Sequence, residues 1–396
     1  MKKLSKIVAT AMLIGLAAPT LSSCGVVKVI QCIGKEQIKI FNWGAYIDPE
    51  VLTAFEEEHN VCVSYSTFNS NEEAIAKLQS GEVYDVIFPS DYAVEQLVEE
   101  DYIQTLDWDK ITAVSNSLSL EETGDTALAG GLKTLLSSLN EGDEVHEGFN
   151  FLNYAAPYFW GSVGILYDTE NVTLEELEEL QWDVFKTPVE GRRYAYYDSS
   201  RDGFMAALKQ LGYSMNTSDQ AEIDAAKQWL IQQKQALGQN LSYVGDTVIE
   251  DMAATTPDGD PANTYDLALM YSGDAVYAMS ENENLAFFQP SVGTNVWVDG
   301  MVIHKNSTKV DLAYDFMNFM MSEEIATANT LYVAYSSPLE IVYETMLEDS
   351  EEGFADYEGA YRVNVHGEND EIFRFDRVAK SRIDDAWVQV KQASIN

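Results

Sequence analysis

From residue 35 onward, short apolar runs alternate with capped segments of helical period, and this alternation restricts the fold more than any other feature of the chain. "QIKIFNW" reads as a strand. Asp48 then stands as an N-cap with Pro49 at the first helical position, and Val51, Leu52 and Phe55 fall on one face. "VCVSYST" is the next strand, and "SNEEAIAKLQSG" the next helix, with Ser70 and Glu73 spaced as a capping box and Gly81 as the stop. "YDVIFPS" and "DYAVEQLVEEDYI" repeat the pair. Strand and helix in strict turn predict a largely parallel sheet covered by helices, an α/β fold.

Residues 117 to 148 are polar and weakly periodic and are expected to form a surface excursion. A second α/β region starts near "YFWGSVGILYD". Its clearest helices are predicted from about Arg201 to Leu211, capped by Gly212, and from about Asp219 to Ala236. "YDLALMYSGDA" and "VWVDGMVIH" read as strands, "TTPDGDPANTYD" as a loop, and "LAYDFMNFMMSEEIATAN" as one long amphipathic helix. No internal repeat is evident. At 396 residues the chain is long enough for two lobes, each with its own core.

The formal charge of −41 argues against a nucleic-acid partner, since phosphate repels such a surface. It is compatible with cationic ligands, and equally with a surface that is simply solubilising. Lys2, Lys3 and Lys6 precede an apolar run from Ile7 to Leu21 that is too short for a typical membrane span, so residues 1–23 read as an export signal. It ends in "LSSC", which matches a bacterial lipobox with Cys24 as the lipidated first residue of the mature chain. Two acyl chains on Cys24 would hold the protein stably to a membrane. The expected location is therefore extracytoplasmic, with residues 24–35 as the tether. Cys32 and Cys62 could form a disulfide in an exported protein, but the spacing does not decide it.

Signatures of covalent or metal chemistry are missing. The four histidines His59, His146, His304 and His366 lie far apart, with no HExxH pair, and neither a GxSxG elbow nor a Walker or GxGxxG loop occurs. "DGDPAN" at 258–263 lacks EF-hand spacing. No metal, cofactor or enzymatic activity is expected, although a carboxylate pair cannot be dismissed by counting among 65 acids.

What remains is a set of polar and aromatic residues at the ends of predicted strands, where open α/β sheets place their ligand sites. Trp43 and Tyr46 follow the first strand, and Ser90 and Tyr92 the third. Trp297 and Asp299, two apart in "VWVDG", point to the same side of a strand. An indole beside a carboxylate suits an ammonium group, because the ring face attracts the cation and the carboxylate adds a charge-assisted hydrogen bond. Each member also has a plain structural explanation: Trp43 and Tyr46 as core and staple, Ser90 as a helix cap, Asp202 as a first-turn acid, Tyr271 and Tyr335 as packing.

Along most of the mature chain, "FNWGAY", "YSTFNSNEEAIAKL", "YDVIFPSDYAV", "APYFWGSVGILYD", "ALKQLGYSMNT" and "VWVDGMVIH" occur in an order that resembles the spermidine/putrescine-binding proteins of ABC transporters. The resemblance implies the two-lobed type II periplasmic-binding-protein fold, with a ligand cleft between hinged lobes. It implies lobes at 36–162 with 298–343 and at 163–297 with 344–396. The aromatic walls would fall on Trp43, Tyr46, Tyr92, Tyr271, Trp297 and Tyr335, and the polar contact on Ser90. Asp202 and Asp299 would take amines. The family's third acid has no clean match: Ser199 stands in its place, with Asp198 one residue earlier, and Arg374 stands near a late polar contact. The expected partners are a polyamine such as spermidine or putrescine, an ABC permease and the membrane through the lipid anchor, with the protein a monomer. Two alternatives remain open. One is a receptor for another cationic amine or amino acid derivative, for which Arg201 or Arg374 would meet a carboxylate. The other is a lipid-anchored hydrolase using an acid pair.

Overall fold

The structure, a computed structural model, describes residues 32–113, 128–140, 148–256, 261–348, 353–363 and 369–395. The signal segment and Cys24 lie outside the described residues. Among the described residues, nine strands occur in chain order: β1 Gln37–Trp43, β2 Cys62–Phe68, β3 Val86–Ile87, β4 Ala156–Asp168, β5 Tyr194–Tyr197, β6 Leu241–Val244, β7 Leu267–Tyr271, β8 Leu285–Phe288 and β9 Val296–Ile303. The chain divides into two compact units. One comprises residues up to Phe159, Val298–Val333 and Ser337–Ala355; the other comprises Trp160–Trp297, Ala334–Ser336 and Asp356–Asn396. The lobe boundaries expected at 162/163, 297/298 and 343/344 thus stand beside divisions at 159/160, 297/298, 333/334, 336/337 and 355/356. The first two of these fall inside β4 and β9.

In the first unit β1 is central, parallel to β2 from Gln37↔Cys62 to Trp43↔Phe68 and parallel to β3 at Ile40↔Val86. β3 pairs antiparallel with β9 at Val86↔Ile303. The strand–helix alternation arises as the sequence signals it. Asp48 accepts a hydrogen bond from the Glu50 N–H and opens the helix Pro49–Glu58, which buries Val51 and Phe55. Phe55 meets Phe316 and Phe319 edge-on, with centroids 5.0 and 5.4 Å apart. Burying one such ring contributes about 1.5–3 kcal/mol. Ser70 caps the helix Asn71–Gln79 through the Glu73 N–H, and Gly81 turns the chain out at φ +96°, a conformation glycine adopts without strain.

In the second unit β4 lies between β7 and β8, antiparallel to both. β7 continues to β5 and β5 to β6, both in parallel. Every residue of β5, Tyr-Ala-Tyr-Tyr, is buried. The helices Ser200–Gln210, Gln220–Leu237 and Arg377–Gln392 are N-capped by Ser199, Asp219 and Asp376 respectively. No helix among the described residues is long and apolar enough to cross a membrane.

The structure departs from the sequence reading at several elements. The excursion at 117–148 contains a helix, Gly130–Asn140, that buries Leu132, Leu135, Leu136 and Leu139; much of the remainder lies outside the described residues. The long helix expected over "LAYDFMNFMMSEEIATAN" is two helices, Val310–Met320 and Glu323–Val333. The second starts at Ser322, whose carbonyl accepts the Ala326 N–H, and Glu323 and Glu324 occupy its first turn, where the helix dipole favours acids. "YDLALMYSGDA" is a strand only to Tyr271, after which Ser272–Glu281 is helical. Cys32 and Cys62 form a disulfide, joining the segment before β1 to the first residue of β2.

Candidate functional site

In the first unit the residues expected at a site gather where β1 and β3 end. Trp43, half-buried, anchors its indole by donating from Nε1 to the Phe88 carbonyl at 2.9 Å and packs its ring against Phe68 at 4.6 Å. Ser90 opens the helix Asp91–Glu99, but its hydroxyl does not cap it. That Oγ accepts instead from Asn71 Nδ2 at 3.0 Å, and the same amide reaches the Tyr92 hydroxyl at 3.0 Å. Ser90 also forms an isolated antiparallel bridge to Asp299, which sets the two backbones side by side.

Asp299 is the focus of this half. It is 5% exposed, and its Oδ1 has no hydrogen-bond partner among the described residues. Burial pushes its carboxyl up to about 7, against the opposing pull of the Ser90 and Tyr46 hydroxyls. A buried carboxylate with no cation is costly, and a bound cation would relieve that cost. Tyr46 is itself buried and lies edge-on to Tyr158 and Phe159, at 5.5 and 5.4 Å.

In the second unit the rings of Tyr271, Trp297 and Tyr335 form a wall. Trp297 meets Tyr271 at 6.0 Å and Tyr335 at 5.2 Å, both near perpendicular. Two glycines make room for it. A Cβ on Gly161 would lie 2.7 Å from Trp297 Cζ2, and one on Gly273 would lie 2.3 Å from Tyr335 Cγ. Asp202, 5% exposed in the first turn of its helix, accepts from the Tyr271 hydroxyl at 3.1 Å and has no ion-pair partner among the described residues. Burial raises its pKa, opposed by Ser199, Tyr271 and the neighbouring charge of Arg201.

Not every expected residue joins these clusters. Asp198 is exposed and paired with Lys391 at 2.7 Å, because β5 ends at Tyr197 and the next side chain turns to solvent. Ser199 caps its helix, accepting from the Asp202 N–H at 3.4 Å, and its hydroxyl also reaches the Asp202 carboxyl. Arg201 lies over the Phe373 ring at 5.6 Å, and the Arg374 backbone N–H donates to Asn216 Oδ1. Conversely, the sequence reading missed Asp274. It follows β7 by three residues, hydrogen-bonds the Tyr335 hydroxyl, and is pushed up to about 7 by burial, with Asp246 adding to the rise. Its signal was available in "LMYSGDA", as a strand-end acid behind Tyr271. Among the described residues no group of acids, cysteines and histidines could hold a metal ion.

Comparison with known proteins adds an independent line. A family model described as bacterial extracellular solute-binding protein matches residues 50–353. The spermidine/putrescine-binding periplasmic protein of Escherichia coli K12 is 28% identical over 307 residues, covering 75% of this chain and 76% of that protein. A structure from Listeria monocytogenes ascribed to a spermidine/putrescine ABC transporter is similar with a TM-score of 0.71 and 29% identity, covering 91% of this chain and all of that one. The spermidine/putrescine ABC transporter substrate-binding protein PotD of Streptococcus pneumoniae, solved with calcium and HEPES, gives a TM-score of 0.67 at 27% identity, covering 90% and 99%.

Proposed function

The chain belongs to the bacterial extracellular solute-binding proteins, and from that membership and its side-chain chemistry we propose that its solute is a linear polyamine of the putrescine and spermidine class. The observation that carries this reading is a pair of buried acids, Asp299 in one unit and Asp202 in the other. Neither is in an ion pair among the described residues, and each stands beside aromatic hydroxyls or rings. In the first unit Asp299 takes an ammonium group, and in the second unit Asp202 with Asp274 does so. Trp297, Tyr271 and Tyr335 cover the methylene stem and add cation–π attraction of about 0.5–2 kcal/mol each. A micromolar site needs about −8 kcal/mol net, which such contacts supply after the costs of ordering the ligand. Relatives named for spermidine and putrescine support the assignment.

The loaded protein delivers its amine unchanged to an ABC permease and catalyses no reaction. It acts as a monomer held to the outer face of the membrane through a lipidated Cys24. Titration calorimetry with putrescine, spermidine, spermine, arginine and a neutral sugar tests the ligand class. Heat from the amines and none from the sugar is expected; the reverse pattern overturns the proposal. Recovery of the bound amine intact after long incubation separates a carrier from a hydrolase.

One observation favours a second reading. Trp297 Nε1 is buried with no acceptor among the described residues, and a protonated polyamine offers none. A cationic amino acid derivative, with a carbonyl or carboxylate oxygen, would supply it. The arginine titration decides between the two.

A further inference from the structure

The loop that follows Trp43 and carries Tyr46 is held from outside itself. Between Trp43 and Pro49 the chain passes through Ala45 at φ +50°, a left-handed conformation that costs a non-glycine residue about 1–2 kcal/mol. Gly44 and Ala45 are exposed and contribute no packing that would hold this turn. Side chains distant in sequence do so instead. The Tyr158 hydroxyl, on β4, donates to the Tyr46 carbonyl at 2.6 Å. Asn329, on the helix Glu323–Val333, donates from Nδ2 to that same Tyr158 hydroxyl at 2.9 Å and accepts the Asp48 N–H on Oδ1 at 2.9 Å. Both residues are buried, at 5% and 2% exposure.

The relay has a fixed polarity. Asn329 can only donate from Nδ2, so the tyrosine oxygen accepts there and its own proton is directed to the Tyr46 carbonyl. Burial keeps the phenol protonated and therefore a donor. One closed chain of hydrogen bonds thus pins the loop at Tyr46 and at Asp48, on either side of Ile47.

We infer that Tyr158 and Asn329 are positioning residues for ligand binding: their relay sets the backbone from which Tyr46 projects, directly after the Trp43 end of β1. This rests on the polyamine reading for its ligand, though not for its geometry. Neither residue was singled out by the sequence, because a tyrosine inside a strand and an asparagine inside a helix look like ordinary packing.

The test uses the full chain labelled with 5-fluorotryptophan, with the Trp43 resonance assigned by W43F. In Y158F, which removes one oxygen, the ligand-free Trp43 line is expected to shift or split while those of Trp182 and Trp229 stay in place. Affinity for putrescine or spermidine is expected to fall about tenfold. N329A should do the same, and the double variant should be no worse than either single one, since one relay is broken only once. Both effects together support the inference. An unmoved Trp43 line, unchanged affinity, or all tryptophan lines moving together overturns it, even where melting temperature falls. If the wild-type chain binds no polyamine, the ligand reading fails and the Trp43 line alone decides the positioning role.

Discussion

Affinity for a polyamine should rise with pH through neutrality, because the acids that would meet it are held partly protonated when no ligand is present. Asp299 is pushed up to about 7 by burial, with the Ser90 and Tyr46 hydroxyls opposing, and Asp274 is pushed to about the same value. Alkylamines with lysine-like basicity stay charged across this range, so the protein's acids set the dependence. For one acid of pKa 7 that must be ionised to bind, the competent fraction falls about tenfold between pH 8 and pH 6, equivalent to roughly 1.4 kcal/mol. Two such acids make it about a hundredfold. At pH 7 each releases about half a proton on binding, which calorimetry in buffers of different ionisation enthalpy measures directly. D299N should weaken binding more than tenfold at pH 8 and flatten the profile by one acid's share. Constant affinity from pH 6 to pH 8, with no buffer dependence of the heat, would refute the reasoning. The same raised carboxyls have the opposite effect on the empty protein. Their folded pKa lies above the unfolded one, so the stability they contribute is complete below about pH 4 and is lost as pH rises through 7.

Other outcomes follow from single contacts. G273A should lower amine affinity by tenfold or more and cost about 1–3 kcal/mol of stability in denaturant titration, since the new methyl meets the Tyr335 ring at 2.3 Å. D198N should change affinity less than twofold by calorimetry, because that acid is exposed and engaged with Lys391. C62S should reduce stability by about 3–4 kcal/mol through loss of a cross-link spanning 30 residues, with affinity unchanged. Equal melting temperatures for C62S and the parent would show that the bridge does not form in solution.

Much of the framework was written locally. Asp48 with Pro49, Ser70 with Glu73, and Gly81 and Gly212 at positive φ all act through groups within a few residues, so the segments they bound could be read directly. The positions of Trp43 at the end of β1 and Tyr271 at the end of β7 were legible in the same way, because the apolar runs stop there. The misreadings share a different cause. Asp198 stood one residue before the expected place of a third acid, but β5 ends at Tyr197 and Asp198 turns to solvent beside Lys391. Asp274 was one acid among many until the fold set it beneath Tyr335. Tyr158 and Asn329 act across 171 residues of sequence, a separation over which no periodicity carries information.

Under the proposed lipid anchoring at Cys24, the bridge between Cys32 and Cys62 would have a mechanical meaning. Eight peptide steps separate the mooring from the bridge, a leash of at most about 29 Å even when drawn straight. Without the bond, slack would run on to the first strand, and the reach would grow to about 47 Å for thirteen steps. With that anchor, oxidation at this one pair would set how far the molecule can roam from the bilayer, leaving the ring-lined end of β1 a full strand length beyond the knot.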